Sequence, residues 1–448
     1  MTDSSANSPP SRKQQAIHAA VTSLLFLVVY GGTSWITSLR APVPTLVFDW
    51  ERMIPFVPWM VIPYMSIDLF FVFAPFLTTT REELHLFSRR ITAAILVAGF
   101  CFLLFPLQLA FDRPVADGFM GQIYNWFCSM DRPYNLCPSL HIALRTLLAW
   151  TYSRHSRGLT QLALHVWFSL IGFSTLLLYQ HHVIDVAGGF LLAVCCFYII
   201  RRESLVLPCT PNNRIAGMYV VILLVCLTML VFAWPWSFLL AWPVVSISLL
   251  IAGYVHIGPG IFRKSGGIIP LSARILLGPV LIGQWLSLQY YRRRCRAWDK
   301  VTDNVWIGRI LTPTEAEQSV SEGVTHILDV TGEFTENAVF RSGNYLNIPV
   351  LDLTAPTQQQ LVEAVRFVDE ASRGGAVYVH CKIGYSRSAA VICAWLLSSG
   401  RCRSVEGAIT QLRAIRPSVV IRPEIYRALE RWYQDQSDPD RASTIQRK

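Results

Sequence analysis

The sequence predicts a multi-pass α-helical membrane bundle followed by a soluble α/β domain. Hydrophobic residues make up 52% of the 448 residues and charged residues only 15%, against the ~25% charged residues of an average soluble domain. The apolar residues lie in long blocks between residues 17 and 291, and beyond residue 292 the composition is that of a soluble protein. The boundary between the two parts is therefore predicted near residues 290–297.

Five segments are predicted along the chain. They are a polar disordered tail (residues 1–16), a helical membrane core (17–201), and further transmembrane helices with an interfacial segment (202–296). An α/β domain (297–435) and a second tail (436–448) follow. The first apolar block lacks a small-residue cleavage site, so it is interpreted as an anchor and not as a cleaved signal sequence.

Eight apolar blocks approach or exceed the ~20 helical residues needed to cross a bilayer. They cover residues 17–39, 54–77, 91–111, 140–152, 159–179, 184–200, 215–233 and 236–257. A ninth block, residues 271–291, contains Arg274, Pro279 and Gln284 and is either spanning, re-entrant or interfacial. With the N-terminus inside, twelve Lys and Arg residues fall in inner loops and four in outer loops. This bias favours eight crossings and a cytoplasmic α/β domain, whereas nine crossings would place that domain outside.

The charge and the cysteines narrow the possible partners. The net charge of +10 comes largely from basic residues at the ends of apolar blocks, where they face anionic lipid headgroups. No basic surface interleaved with aromatic residues is evident, so no nucleic-acid partner is predicted. The eleven cysteines lack the spacing of metal ligands, which predicts a chain without disulfides, metal or other cofactor. The sequence leaves the oligomeric state open.

One cysteine stands apart from the others. Cys381 lies in AVYVHCKIGYSRSAAVICAWLL, where a buried strand at residues 377–380 is predicted to lead through a short loop into a helix at 388–397. Such a loop turns its backbone N–H groups inward and forms an anion cradle at the helix N-terminus. The same groups stabilise a thiolate on Cys381, and the guanidinium of Arg387 can hold two phosphate oxygens.

The remaining loop residues fit the same chemistry. Gly384 permits the tight loop, Ser388 can donate a hydrogen bond to the sulfur, and Lys382 and Ser386 complete the predicted phosphate cradle. The alternative is a structural cysteine buried before a helix. A histidine, glycine, arginine and serine at these offsets favour the reactive cysteine.

Residues 301–433 resemble a dual-specificity, cysteine-dependent phosphatase domain. The resemblance rests on VTDNVWIGRI, IPVLDLTAPT, VYVHCKIGYSRSA and IRPSVVIRPE, and it is strongest to the lipid-directed mitochondrial phosphatidylglycerophosphate phosphatases. It implies a phosphocysteine intermediate on Cys381 and a phosphate grip by Arg387. It also implies an aspartate general acid upstream, and Asp352 stands at the matching place, 29 residues before the cysteine. The alternatives are a turn role for Asp352 and Glu333 as a second candidate acid.

A second group of polar residues interrupts the apolar blocks, in FPLQLAFDRP, RPYNLCPSLHIA and STLLLYQHHVIDVAGG. Ionisable residues inside a membrane segment are costly and indicate function. His181 and Asp185 are four residues apart on one helical face, so the carboxylate can hold one imidazole nitrogen and leave the other as a nucleophile. His141 can protonate a leaving group. The alternatives are helix-capping histidines and a metal site.

These motifs resemble the type-2 phosphatidic acid phosphatase superfamily, in particular its inositol-phosphorylceramide-synthase-like branch, over residues 54–200. The resemblance implies His181 as nucleophile, Asp185 as its orienting partner and His141 as general acid. It also implies that Arg113 and Ser139 bind phosphate.

The sequence departs from that superfamily at two cations. Pro106 and Thr175 stand where the pattern has a lysine and an arginine. Arg145 and Arg132 are candidates to compensate, and Asp68 is a further charge inside an apolar block, either structural or functional. The two losses leave room for phosphodiester transfer as well as monoester hydrolysis at this site.

Three functions remain open at this point. The favoured one is a membrane enzyme acting on lipid phosphates, with cysteine chemistry inside and histidine chemistry outside. The second is a membrane-anchored tyrosine, serine or threonine protein phosphatase with a degenerate membrane domain. The third is a non-catalytic scaffold, which the complete HCxxGxxR motif disfavours. The organisation resembles inner-membrane fusion proteins of Gram-negative bacteria, which implies a bacterial inner-membrane location.

Overall fold

The computed structural model describes residues 8–40, 42–202, 206–232 and 240–437, and the chain divides into two compact units. The first unit is Met1–Arg202 and the second is Glu203–Lys448. Residues 1–7 of the predicted N-terminal tail and residues 438–448 of the predicted C-terminal tail lie outside the described residues.

The described part of the first unit is built from α-helices and short 3₁₀ turns. The helices are α1 (Arg12–Ser38), α2 (Val61–Phe73), α3 (Arg81–Leu104), α4 (Gly118–Met130), α5 (Leu140–Arg154), α6 (Gly158–Leu177) and α7 (Val183–Ile199). Its main core lies where α3, α5, α6 and α7 meet, around Ile91, Leu148, Phe168 and Ala193.

Helix boundaries differ from the predicted blocks where capping residues and prolines decide them. α1 begins at Arg12, inside the predicted tail, because the Ser11 hydroxyl accepts a hydrogen bond from the Gln14 N–H at 3.2 Å. α3 begins after the Thr80 cap and ends at Leu104, because Pro106 cannot continue it. The short helix α4 was not predicted.

The second unit opens with four helices. They are α8 (Asn213–Phe232), α9 (Ala241–Ala252), α10 (Leu271–Leu276) and α11 (Gly278–Arg292). The ninth apolar block thus forms two helices, which break just before Pro279. Ile215 of α8 and Leu250 of α9 share a core with Leu351 of the following domain, so these helices and that domain form one packed body.

Six helical segments in the described residues are long and apolar enough to cross a membrane. They are Arg12–Ser38, Pro58–Leu77, Arg81–Leu104, Gly158–Leu177, Asn213–Phe232 and Ala241–Phe262. α5 and α7 are shorter, so the eight crossings stay a prediction. On α8 the side chains of Met218, Val221 and Leu224 are more than half exposed, an apolar surface that water-facing helices rarely show.

The remainder of the second unit is an α/β domain, as predicted. Its strands are β1 (Trp298–Thr302), β2 (Val305–Arg309), β3 (Val324–Thr331), β4 (Asn344–Val350) and β5 (Ala376–Cys381). They form one sheet in the order β1-β2-β5-β3-β4, parallel except for the edge strand β1. Its helices are α12 (Pro313–Ser321), α13 (Ala338–Arg341), α14 (Gln358–Gly374), α15 (Arg387–Ser398), α16 (Val405–Ile415) and α17 (Pro423–Ser437). The central β5 carries the candidate cysteine to its carboxyl end, where parallel α/β sheets bind ligands.

Candidate active sites

The loop of residues 381–387 joins β5 to α15. All of β5 is buried between β2 and β3. This burial fixes Cys381 at the carboxyl end of the central strand. Gly384 has a φ of +72°, and a Cβ there would lie 2.6 Å from the carbonyl oxygen of Gly308. A side chain at this position is excluded on both grounds. The loop therefore wraps closely around the sulfur, and the N–H groups of Gly384 and Ser388 bond to it.

Arg416 holds this loop from below, a role that the sequence did not reveal. Its guanidinium donates hydrogen bonds to the carbonyl oxygens of Gly384 at 3.0 Å and Ile383 at 3.2 Å. It also pairs with Asp299 at 2.7 Å and is fully buried. Because Arg416 holds these carbonyl oxygens on its own side of the loop, the loop N–H groups can face the cradle. The available signal was an arginine before Pro417 in the IRPSVVIRPE stretch.

Cys381 has the environment of a nucleophile. Its side chain is buried, and the Ser388 hydroxyl donates a hydrogen bond to its sulfur at 3.4 Å. Burial alone would raise the pKa of the Cys381 thiol, but the Arg387 charge and the hydrogen bonds from Ser388 and Gly384 outweigh it and lower the pKa. The thiolate is the reactive form of cysteine, so this site stabilises it.

Arg387 is oriented by a bidentate pair with Glu333. Its two terminal nitrogens donate to the Glu333 carboxylate at 2.6 Å and 3.0 Å, and one of them also donates to the Val350 carbonyl oxygen at 2.8 Å. Glu333 is buried, and its carboxylate is committed to this guanidinium. The interpretation of Glu333 as a second candidate acid is therefore corrected: it positions the phosphate-binding arginine.

Asp352 lies beside the cradle, on the loop after β4. Its carboxylate accepts hydrogen bonds from Lys382 at 2.5 Å and from Arg387 at 3.3 Å. Burial alone would raise the pKa of Asp352, but the charges of Arg387 and Lys382 outweigh it and lower the pKa. A bound phosphate dianion competes for both cations and repels the carboxylate, which raises the pKa of Asp352. Phosphate binding thus favours the protonated form that a general acid needs.

Lys382 and Ser386, both predicted to bind phosphate, differ in their contacts. The Lys382 ammonium donates to the Gln284 side-chain oxygen at 2.9 Å and to the Ser287 hydroxyl at 3.4 Å, in addition to Asp352. The Ser386 hydroxyl is buried and has no hydrogen-bond partner within the described residues. A buried polar group without a partner is costly, and a phosphate oxygen in the cradle would satisfy it.

A cavity of about 720 Å³ opens from this cradle. One side is formed by Cys381, Lys382, Ser386, Arg387 and Asp352. The other side comes from α8, α9, the turn that follows α9, and α11, and it is mostly apolar; we call these residues the helical wall. The wall consists of Tyr219, Ile222, Ile247, Leu250, Tyr254, Pro279, Val280, Gly283, Gln284, Ser287 and Tyr291.

The first unit contains a separate cavity of about 200 Å³, lined by His141, His181 and Asp68 among other residues. The Nδ1 of His181 lies 3.7 Å from the Asp185 carboxylate. The ring of His141 stacks on Tyr64 with centroids 4.2 Å apart, which fixes its orientation. The structure thus brings the two predicted histidines to one cavity, with Asp185 behind one of them.

Arg113, predicted to bind phosphate at this second site, is already paired. Its guanidinium donates to the Asp131 carboxylate and to the Gln180 side-chain oxygen, both at 2.8 Å. Asp131 lines the cavity, whereas Arg113 is not among its lining residues. A phosphate at this site would have to displace Asp131 to reach the guanidinium.

The other predicted ligands of the second site face elsewhere. Ser139 is buried and caps α5, where its hydroxyl accepts a hydrogen bond from the Ile142 N–H at 3.3 Å. Arg145 donates to a backbone carbonyl of α6 and is not among the residues that line the cavity. Arg132 donates to the Ser38 hydroxyl at 2.6 Å. Compensation by Arg145 stays a prediction, and in this structure its Nε bonds the neighbouring helix.

A cluster of Asp329, Glu336 and His380 brings ligand-type atoms within 4.8 Å of one another beneath the cradle. The ammonium of Lys264 donates to Asp329, and the His380 ring lies 3.1 Å from Glu336. Burial would raise the pKa of Asp329, but Lys264 and His380 lower it to about 2. The ammonium of Lys264 therefore already balances the charge of one of the three candidate ligands.

Comparison with known proteins assigns the α/β domain to a family. Residues 305–435 match the family model described as dual specificity phosphatase, catalytic domain. A phosphatidylglycerophosphate phosphatase of Arabidopsis thaliana, PTPMT1, is 25% identical over 173 residues, which cover 37% of this chain and 51% of the relative. The human phosphatidylglycerophosphatase and protein-tyrosine phosphatase 1 is 29% identical, over 34% of this chain and 81% of the relative.

Two further similarities are to a zebrafish phosphatase and to a solved structure. Dual specificity protein phosphatase 22-A of Danio rerio is 33% identical over 102 residues, which cover 22% of this chain and 48% of the relative. A crystal structure of PTPMT1 in complex with PI(5)P is 25% identical, covers 32% of this chain and 97% of its own, and gives a TM-score of 0.30. The chain spans about half the length of the Arabidopsis and Danio relatives. Its C-terminal domain is a dual specificity phosphatase domain, a hydrolase of phosphate monoesters.

Replacing Ser388 by alanine is expected to raise the pKa of the Cys381 thiol. The substitution removes a donor that stabilises the thiolate, and a hydrogen bond to a charged group is worth ~1.5–3 kcal/mol, which corresponds to a rise of roughly one pH unit or more. The measurement is the rate at which iodoacetamide alkylates the Cys381 peptide, followed by mass spectrometry across pH. Ser399→Ala, a change in the same helix region away from the sulfur, is the control. An unchanged midpoint in Ser388→Ala would contradict the assigned hydrogen bond.

Proposed function

We propose that this protein is an integral membrane phosphatase that hydrolyses lipid phosphate monoesters at Cys381. The observation that carries the proposal is the cavity that joins a phosphate cradle to the apolar helical wall. A substrate that fills such a cavity has a phosphate monoester at one end and an apolar body at the other. A phospholipid phosphate has this composition. The names of the Arabidopsis and human relatives, both phosphatidylglycerophosphate phosphatases, support the same substrate class.

The reaction proceeds in two steps. In the first, the Cys381 thiolate attacks phosphorus, the ester P–O bond breaks, and Asp352 gives its proton to the leaving alcohol oxygen. In the second, Asp352 takes a proton from a water molecule that attacks the phosphocysteine, and the P–S bond breaks to release phosphate and the thiolate. Arg387 and the loop N–H groups hold the equatorial oxygens in both transition states. Ser388 stabilises the departing thiolate.

The membrane part of the proposal rests on the helices that are long enough to span and on their exposed apolar side chains. Basic residues concentrate in the loops assigned to the inner side, which favours a cytoplasmic phosphatase domain. The phosphatase domain shares a core with α8 and α9, so a membrane position of these helices holds Cys381 close to the bilayer. A bacterial inner membrane fits this organisation.

The alternative for the same site is a membrane-anchored protein phosphatase, since the human relative is also named a protein-tyrosine phosphatase. A phosphorylated side chain on a folded protein has to enter the cradle from water. Here the cavity is bounded by side chains such as Ile222, Leu250 and Tyr254 of helices suited to a membrane. That boundary favours a lipid over a protein substrate.

Turnover of competing substrates by the full chain in detergent micelles tests the proposal. We expect a higher kcat/KM for a long-chain lipid phosphate monoester than for a phosphotyrosine peptide, by about tenfold or more, because burial of apolar surface adds to transition-state binding. Cys381→Ser should abolish both activities, while Cys393→Ser, which changes another buried cysteine, should retain them. Faster turnover of the peptide than of every lipid phosphate would favour the protein-phosphatase alternative.

We also propose a second reaction, at His181 in the first unit. The supporting observation is that His141 and His181 line one cavity, with Asp185 behind the nucleophile. His181 would attack phosphorus, His141 would protonate the leaving oxygen, and the phosphohistidine would pass to water or to an alcohol. Because Arg113 is paired with Asp131, this cavity offers less positive charge than a site for a phosphate dianion requires. A phosphodiester, which carries one negative charge, fits it better.

The second site is tested in a chain that lacks the first. In the Cys381→Ser background, we expect slow conversion of a lipid phosphodiester, followed by chromatography of the lipid products. His181→Ala should abolish that conversion because it removes the nucleophile, whereas His165→Ala, a change at a histidine outside the cavity, should preserve it. Conversion that persists in His181→Ala would contradict histidine chemistry in this unit. A failure to convert any lipid phosphodiester would contradict it as well.

A further inference from the structure

The helical wall is not uniformly apolar, and its polar residues lie where it meets the cradle. Gln284 and Ser287 are three residues apart on α11 and therefore lie on one face. Both accept hydrogen bonds from Lys382, at 2.9 Å and 3.4 Å. The side-chain nitrogen of Gln284 has no hydrogen-bond partner in the described part of the chain. An amide donor is thus available at the edge of the phosphate site.

The rest of the wall continues away from this polar edge. Ile222 of α8 and Ile247 and Leu250 of α9 line the same cavity. Gly283 also lines it, and a Cβ built there would meet no atom within 4 Å. A glycine on a helix facing a cavity leaves space along the wall that a larger side chain would fill. The cavity therefore extends from the charged cradle past two polar groups to an open apolar surface.

We infer that the helical wall is a lipid-binding site that selects the substrate of Cys381. The acyl chains lie against α8, α9 and α11, and Gln284 and Ser287 hydrogen-bond the polar group that joins the phosphate to them. This inference rests on the proposed lipid phosphatase function and deepens it. It assigns substrate choice to helices that lie outside the matched phosphatase domain, residues 305–435.

Gly283→Trp tests the inference because it fills the cavity without an initial clash. In the full chain we expect kcat/KM for a long-chain lipid phosphate monoester to fall by about tenfold or more, while turnover of p-nitrophenyl phosphate stays within about twofold. Gly217→Trp is the matched control, since Gly217 also has open space around its Cβ but does not line the cavity. Gln284→Leu should lower kcat/KM for the lipid phosphate by a larger factor than kcat/KM for p-nitrophenyl phosphate, although it also removes an acceptor of Lys382.

The outcomes separate this inference from the proposed function. If the wild-type chain hydrolyses lipid phosphates and Gly283→Trp hydrolyses them equally well, the lipid-binding role of the helical wall is overturned and the phosphatase proposal stands. If the wild-type chain hydrolyses no lipid phosphate, the proposed function itself fails. Equal losses on both substrates in Gly283→Trp would indicate a damaged cradle and would also overturn the inference.

A different observation concerns the loop that carries Asp352. Leu353 has a φ of +62°, a conformation that a leucine adopts at a cost. Its carbonyl oxygen accepts a hydrogen bond from the Asn212 side chain at 2.8 Å, and the Tyr254 hydroxyl donates to the Asp352 carbonyl oxygen at 3.0 Å. A third bond runs from Thr210 to this loop. All three donors come from the helical segment that precedes the phosphatase domain.

We propose that Asn212 and Tyr254 are positioning residues for the general acid. From the residue before α8 and the turn after α9, they hold the strained loop and so keep the Asp352 carboxylate over the cradle. Acid catalysis then depends on the packing of these helices, although neither residue touches the reacting atoms. A change in the helices that broke these bonds would slow the reaction without altering the cradle.

The dependence of rate on the leaving group tests this second proposal. Asn212→Ala and Tyr254→Phe should slow an alkyl phosphate, whose leaving group needs the proton, by about tenfold or more, and should change p-nitrophenyl phosphate little. Asp352→Asn should slow the alkyl phosphate more strongly, by about 100-fold, and should also slow p-nitrophenyl phosphate wherever hydrolysis of the phosphocysteine limits the rate. Asn304→Ala, which removes a similar bond to the Ser372 carbonyl, is the control. Equal losses on both substrates, or none, would overturn the positioning role.

Discussion

A guanidinium with only 2% of its side chain exposed is tolerable only when anions surround it, and at Arg387 those anions are Glu333 and Asp352. The guanidinium in turn compensates the buried thiolate of Cys381. Because Arg387, Glu333 and Cys381 are buried, removing one of these charges leaves the others uncompensated. A bound phosphate adds another anion to this group. Its binding is therefore favoured when a neighbouring carboxylate is protonated. The same requirement links substrate binding to protonation of Asp352.

The loops around the phosphatase site are held from two directions. Below the cradle, Arg416 draws the carbonyl oxygens of residues 383 and 384 away from the phosphate. Beside it, Asn212 before α8 and Tyr254 after α9 donate hydrogen bonds to the loop that carries Asp352. Helices suited to a membrane thus contribute both to the wall of the cavity and to the support of the acid loop. This arrangement gives physical reasons to treat Glu203–Lys448 as one functional body.

The two candidate sites differ in how much positive charge they offer. At Cys381, arginine, lysine and loop N–H groups converge on one point. In the histidine cavity, Arg113 is neutralised by Asp131, and Arg145 is bonded to the next helix. Among the described residues that line this cavity there is no lysine or arginine. This difference supports our proposal that monoesters bind at Cys381 and diesters at the histidine cavity.

The sequence by itself determined the local features. Apolar blocks predicted the helices, the resemblance over residues 301–433 predicted the α/β domain, and the spacing from Cys381 to Ser388 predicted a strand, a tight loop and a helix. These features depend on neighbours in the chain. Helix ends were less predictable, because caps such as Ser11 and prolines such as Pro106 moved them by several residues.

Only the tertiary structure decided which distant groups meet. Glu333 became the partner of Arg387, not an acid, because the fold buries its carboxylate 2.6 Å from the guanidinium. Arg416, Asn212 and Gln284 contact the site from segments that carry no recognisable motif for such a role. Their roles depend on which carbonyl or ammonium lies within hydrogen-bond reach, and contacts between residues 32 to 141 positions apart leave no periodicity to read. Packing of the helices against the phosphatase domain settled those contacts.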